Sequence, residues 1–214
     1  MDEDLVAINT NTKIQRVREF FVKFKKQIIL IIITIIIIVF GYFIYGDLQK
    51  KNKVKIADMY NQATLDYNTG DKKNIKKKLI DIVNKRDETY SPLSLYFLLE
   101  HEIIIENNKI NELFDVLINE TNLEKEIKNL IVYKKALFNS EFETENNLIK
   151  ILNPIINSDS IWKSHALYLM AEYFYHKNEK QKSKEFYEKI LTQEKSNLSI
   201  KKEAQKRLNR DFSE

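Results

Sequence analysis

The hydrophobic pattern of this chain changes abruptly at two points. From Gln27 to Gly46 it reads QIILIIITIIIIVFGYFIYG, twenty residues without one acidic or basic side chain. On either side, apolar residues recur at three- and four-residue spacing among charged ones, which is the period of an amphipathic helix. A helix as long as the apolar run spans about 30 Å, the hydrocarbon thickness of a bilayer. A cleaved signal peptide carries a shorter apolar region, about 7–15 residues, followed by a small-residue cleavage site. Tyr45-Gly46-Asp47-Leu48-Gln49 offers no such site, so the run predicts an uncleaved transmembrane helix over 27–46. Phe40, Tyr42, Phe43 and Tyr45 at one end, and Lys25 and Lys26 at the other, suit the two interfaces.

Ahead of this run, Ile14, Val17, Phe20, Phe21 and Phe24 alternate with Arg16, Arg18, Lys23 and Lys25. Such a stretch either lies on a membrane surface as an amphipathic helix or extends the membrane helix. Beyond the run, helices are expected in pairs with short polar breaks. The first covers about Asn52 to Thr69, with Gly70 as a left-handed C-cap and Asp71 capping the helix of Ile75, Leu79, Ile82 and Val83. Ser91-Pro92 predicts an N-cap with proline at the first helical position, and Leu95, Leu98, Leu99, Ile103 and Ile104 carry that helix to Asn107-Asn108. Leu113, Phe114, Leu117 and Ile118 form the return helix. Thr121-Asn-Leu-Glu124 and Ser140-Glu-Phe-Glu143 read as capping boxes for the next two helices. A pair over about 161–192 and a short charged helix near 198–210 close the chain.

Composition narrows the picture. Cysteine is absent, which excludes disulfides and thiol chemistry, and three glycines and two prolines are too few for an all-β chain with many tight turns. Basic residues exceed acidic ones by two both before and after the apolar run, which is too little to imply nucleic acid. Six basic residues precede the run (Lys13, Arg16, Arg18, Lys23, Lys25, Lys26) and four follow it closely (Lys50, Lys51, Lys53, Lys55). That bias places the N-terminus in the cytoplasm and the larger domain across the membrane.

A helical pair every 30 to 35 residues is the sign of a stacked repeat array. The segment from Ser164 to Lys195 resembles a tetratricopeptide repeat. It offers Leu167, Met170-Ala171 and Phe174 in its first helix, Asn178 at the turn, then Ser183, Tyr187 and Ile190. These seven positions, Asn178 aside, are the expected repeat-packing residues, with the small Ala171 and Ser183 where two helices approach closely. Met59, Ala63, Gly70, Ile75 and Leu79 form a looser second match, and Leu99 stands where a small residue is usual. The resemblance implies an all-α fold, a transmembrane helix followed by a right-handed α-solenoid of about four helix pairs. The corresponding segments are a tail at 1–26, the span at 27–46 and the repeat domain at 47–214.

The whole layout resembles the ancillary subunit family of the bacterial SecYEG translocon. The resemblance rests on Val17-Arg18-Glu19-Phe20-Phe21, the single span with its aromatic exit, and Tyr60, Ala63 and Gly70 followed by Thr89-Tyr90. It implies an inner-membrane protein with a periplasmic domain. The implied partners are translocon subunits, a membrane-anchored periplasmic chaperone and unfolded clients. A cell-division or envelope-assembly scaffold, or a cytoplasm-facing adaptor, would share the same fold.

Catalytic chemistry is not evident. His101, His165 and His176 lack metal-ligand spacing, and glycines at 41, 46 and 70 cannot build a phosphate loop. No cofactor, metal site or small-molecule substrate is expected, and the chain does not read as an enzyme. A hydrolase is the rival of a different class, and histidine substitutions would expose it. Among the aromatic residues at helical spacing, Tyr168 and Tyr175 share a helix face and are candidates for a peptide groove.

Overall fold

In a computed structural model, the structure describes residues 2–68, 70–194 and 196–212, with side chains at 18, 22–27, 29–67, 70–194 and 196–212. The described residues contain helices and turns and no strand. The chain divides into two units, Met1–Lys55 and Ile56–Glu214.

The described residues of the first unit are all helical. Helix α1 runs Asp2–Leu65, so no separate helix starts near Asn52; the residues from Ile56 on belong to the second unit. The tail continues the same helix, while the apolar face of Ile14, Val17, Phe20 and Phe21 lies outside the described side chains. Among the described residues, the stretch Val22–Leu65 is the one helix long and apolar enough to cross a membrane, and none of its most apolar window is buried. Leu30, Ile37, Phe40 and Tyr42 are between 65% and 76% exposed. The Thr34 hydroxyl is satisfied within the helix, since Thr34 Oγ1 donates to the Leu30 carbonyl at 2.9 Å. Polar contacts resume just past the run, where Gln49 donates to the Tyr45 hydroxyl and Lys51 pairs with Asp47 at 2.8 Å.

The second unit is an array of helix pairs. After the last turns of α1 come a 3-10 turn, Asp66–Asn68, and α2, Lys72–Asn84. Then follow α3, Tyr90–Glu100, and α4, Asn107–Asp115, which runs into a π-turn at Val116–Glu120. The third pair is α5, Lys125–Asn139, with α6, Glu145–Ile156, and the fourth is α7, Lys163–His176, with α8, Lys180–Leu191. Helix α9, Leu198–Asp211, packs on α7 and α8. Hydrogen bonds between successive pairs join positions 34 apart, as in Arg86 to Glu120, Asn122 to Glu88 and Ser160 to Glu126.

Several helix ends differ from the sequence expectation. Gly70 does not have a positive φ; its place is set by close approach, because a Cβ there would lie 2.7 Å from the Asp66 carbonyl oxygen. Asp71 does cap α2, accepting from Lys73 N at 2.9 Å. Ser91 is not the cap of α3. It is buried and donates to the Ile82 carbonyl, while Asp87 accepts from the Thr89 and Tyr90 amides instead. Neither capping box forms. Thr121 turns inward to donate to the Val116 carbonyl, Ser140 ends α5 by donating to Leu137, and Thr144 caps α6. Left-handed residues close three helices, and in this glycine-poor chain they are Arg86, Glu102 and Asn178, with φ near 58°, 49° and 60°.

The core falls into three clusters. The first joins Ile56, Ala63, Leu79, Leu95, Leu98 and Phe114 and reaches Ile131 of α5. The second begins at the next residue, Val132, and includes Ala136, Leu148, Leu152, Met170 and Phe174. Leu167, Ala171, Tyr187, Ile190 and Ala204 make the third. Two of the boundaries thus run along single helices, α5 and α7.

Candidate partner-binding cleft

The sequence pattern carries α3 to Ile104, yet the helix stops at Glu100. His101 caps it, Glu102 turns left-handed, and the Ile103 amide bonds back to the Leu98 carbonyl at 2.9 Å. Helix α3 therefore has 11 residues, against 15 in α5 and 14 in α7. Beside its last turn lies a cleft of about 610 Å³, walled by Tyr96 and Leu99 of α3, Phe114 of α4, and Leu137, Phe138 and Phe142 at the end of α5. Phe138 packs on Phe114 at 6.2 Å and on Phe142 at 5.3 Å between ring centroids. Leu137 and Phe142 stay 42% and 45% exposed, so the lining is open to solvent.

Packing at this junction is incomplete. The Tyr96 hydroxyl is buried and makes no hydrogen bond in the structure, and burial pushes its pKa up to about 12. Glu100, Glu141 and Lys134 stand in the same lining, all exposed, and none of the three forms an ion pair among the described residues. The Glu100 charge is felt nearby, since burial first and that charge second push the Tyr60 phenol upward.

Two further clefts adjoin α5. One of about 620 Å³ lies along α4, α5 and α6 and holds Asn108, Asn111, Asn119, Asn139 and Asn147. Asn111 and Asn139 bond each other in both directions, at 3.0 and 2.8 Å, and each amide also donates to a backbone carbonyl one turn back. Their donors are used up, so this pair ties α4 to α5 and is not free to hold a ligand. A third cleft of about 510 Å³, between the end of α5 and α7, shares Glu141 with the first and adds Leu169, Glu172 and Tyr173.

The repeat-packing candidates sit in the interior of the last pair. Leu167, Met170, Ala171, Phe174, Ser183, Tyr187 and Ile190 are all buried, and Ser183 donates to the Ala171 carbonyl at 2.8 Å. Tyr168 and Tyr175 are found against the terminal helix. Tyr168 packs edge-on to Tyr187, Tyr175 packs on Phe212, and the Arg207 guanidinium lies 4.5 Å over the Tyr175 ring. Burial, followed by the Glu172 charge, pushes Tyr168 up to about 12.

Two of the three histidines lie partly buried among rings, and His176 is exposed at the end of α7. His101 lies 4.2 Å from Phe97 and 4.5 Å from Tyr67, and His165 lies 5.1 Å from Trp162. Glu172 is engaged by Arg207 and Tyr187. No group of three metal-ligating side chains occurs among the described residues. The sequence pattern does not mark Tyr96, Leu137, Phe138, Phe142 or Arg207 as site residues; Leu137 reads only as part of an apolar helix face. The available signal was the Phe138–Phe142 pair, one helical turn apart across the Ser140 break.

A family model described as a tetratricopeptide repeat-like domain matches residues 18–110. The matched region takes in the apolar run as well as α2, α3 and the start of α4. Comparisons with curated proteins and with solved structures gave no match. The described residues are helical with turns, residues 18–110 match a tetratricopeptide-like domain, and domains of this kind commonly serve as protein-interaction modules.

Proposed function

We propose that this protein is a membrane-anchored, protein-binding subunit of the export machinery, with residues 27–46 as the span and 47–214 as the binding domain. The anchored, protein-binding part of this reading is carried by the extent of the family match, which covers both the unburied apolar helix and the helices up to the start of α4; the export role rests on the sequence resemblance. Fully exposed apolar helices are unstable in water, and about 25 cal/mol is at stake for each Å² of apolar surface, so lipid is the natural surrounding of this one. The open aromatic cleft at the α3–α5 junction gives the domain a place for a partner's apolar side chains. The basic bias before the span favours a cytoplasmic tail at 1–26 and a periplasmic domain in an inner membrane. The sequence resemblance described above supports translocon subunits, a membrane-anchored periplasmic chaperone and unfolded exported chains as partners.

The test is crosslinking of the native protein in its own membranes, extraction in mild detergent and identification of its companions by mass spectrometry. Enrichment of translocon subunits with a periplasmic chaperone is the expected result. Division or envelope-assembly proteins in their place overturn the export role and leave the binding module intact. A topology reporter fused to the C-terminus separates the periplasmic reading from a cytoplasm-facing adaptor.

A further inference from the structure

We infer that the cleft between α3, α4 and α5 selects polypeptide segments in which large apolar side chains stand next to a lysine or arginine. The inference rests on the reading of this cleft as the docking site and adds the chemistry of what docks. Its walls are aromatic and aliphatic, and two of them, Leu137 and Phe142, remain solvent-exposed. The mouth carries two carboxylates, Glu100 and Glu141, against one ammonium, Lys134.

Those carboxylates are free to meet a ligand. Several acids at other junctions have cationic partners, Glu106 with Lys76, Asp115 with Lys135, Glu145 with Lys182 and Glu172 with Arg207. Basic residues outnumber acidic ones in this chain, 35 to 31, so partners are not scarce. Glu100 and Glu141 nonetheless remain unpaired, and Lys134 in the same lining approaches neither of them within ion-pair distance. An aliphatic or aromatic group seated in the cleft brings its neighbouring side chain to this rim. A basic neighbour finds a favourable field there and an acidic one does not.

The test uses the full chain in lipid nanodiscs and three fluorescent peptides sharing one Phe/Leu core, flanked by lysine, glutamine or glutamate. Binding is read by anisotropy at low and high salt, together with crosslinking from a photoreactive residue placed at Phe142. The lysine-flanked peptide is expected to bind more tightly than the glutamate-flanked one by about fivefold or more, and salt should erase the difference. Glu100→Gln with Glu141→Gln should abolish the lysine preference and, with Lys134 left alone at the rim, turn it slightly toward the glutamate-flanked peptide, while leaving the core's binding in place; Lys134→Gln should widen the preference for lysine. Equal binding of all three peptides to the unaltered protein, with crosslinks from position 142, overturns the basic–apolar preference and leaves the docking site standing. Absence of crosslinks at 142, or affinities unchanged by Phe142→Ala, overturns the docking site itself.

Discussion

The last helix pair and the junction between the second and third pairs solve the same packing problem with opposite results. At the α7–α8–α9 end, Ala171 and Ser183 stand where two helices meet, both are fully buried, and Ser183 Oγ bonds directly to the Ala171 carbonyl. The terminal helix is then held by Arg207, which forks onto Glu172 at 2.8 and 2.7 Å, reaches Asp211 at 2.7 Å and covers the Tyr175 ring. At the α3–α5 junction, α3 ends early, Leu99 lines the contact, and a hydroxyl stays unpaired beside an aromatic cleft. One end is closed by small residues and a satisfied ionic network. The other is held open by large residues and a shortened helix, and an aromatic-lined cleft of about 610 Å³ lies there.

The comparison can be broken most forcefully at the closed end. Arg207→Ala leaves Glu172, whose side chain is only 25% exposed, without its cation and leaves Asp211 with Arg210 alone, and should cost about 2–3 kcal/mol in urea unfolding. A loss under 0.5 kcal/mol would mean that α9 is held by its apolar contacts alone. Added volume should then distinguish the two regions. Ala171→Leu overfills the closed end and should cost about 2 kcal/mol, whereas Leu137→Phe grows into the cleft and should stay within about 0.5 kcal/mol. Equal costs for the two would contradict the idea that one junction is tight and the other loose.

Removing the unpaired hydroxyl should help. Tyr96→Phe is expected to raise stability by about 1 kcal/mol, because the phenol loses its hydration on folding and gains no bond. A destabilised variant would show that this oxygen has a partner in solution. Smaller still is a pH effect. Burial holds the His165 imidazole below its ordinary value of 6.5, so the unfolded chain takes up the proton first. Stability should therefore begin to fall as the pH drops through about 6.5, before Asp211 and Glu106, both depressed by their basic partners, contribute at lower pH. His165→Phe should flatten the upper part of that profile in thermal melts; an unchanged profile would remove His165 as its cause.

How much of this was legible in the sequence depends on the range of the interaction. The apolar run, the pairing of helices and the burial of Ala171, Ser183 and Tyr187 follow from periodicity and side-chain size, which are local properties. Asp71 and Asn178 were legible for the same reason, since cap and turn chemistry acts within a few residues. The capping boxes at Thr121 and Ser140 misled because their hydroxyls found carbonyls in the preceding turn. At Gly70 the pattern predicts a φ requirement, whereas the constraint is contact with the Asp66 carbonyl. The cleft escaped notice altogether. It arises from Glu102 turning left-handed against a helical hydrophobic pattern, and from Phe138, Phe114 and Tyr96 meeting across three helices. No spacing along the chain encodes that meeting. Arg207 was hidden likewise, one basic residue among many in α9 until Glu172 is placed opposite it.

The central claim is that partners meet this protein at the open junction and not at the closed end. It is tested most directly by photocrosslinking in native membranes from position 142, at the cleft, and from position 206, on the exposed side of α9. The account predicts discrete protein adducts from 142 that weaken when Glu141 is neutralised, with few or none from 206. Adducts from 206 alone, or equally from both positions, would contradict it.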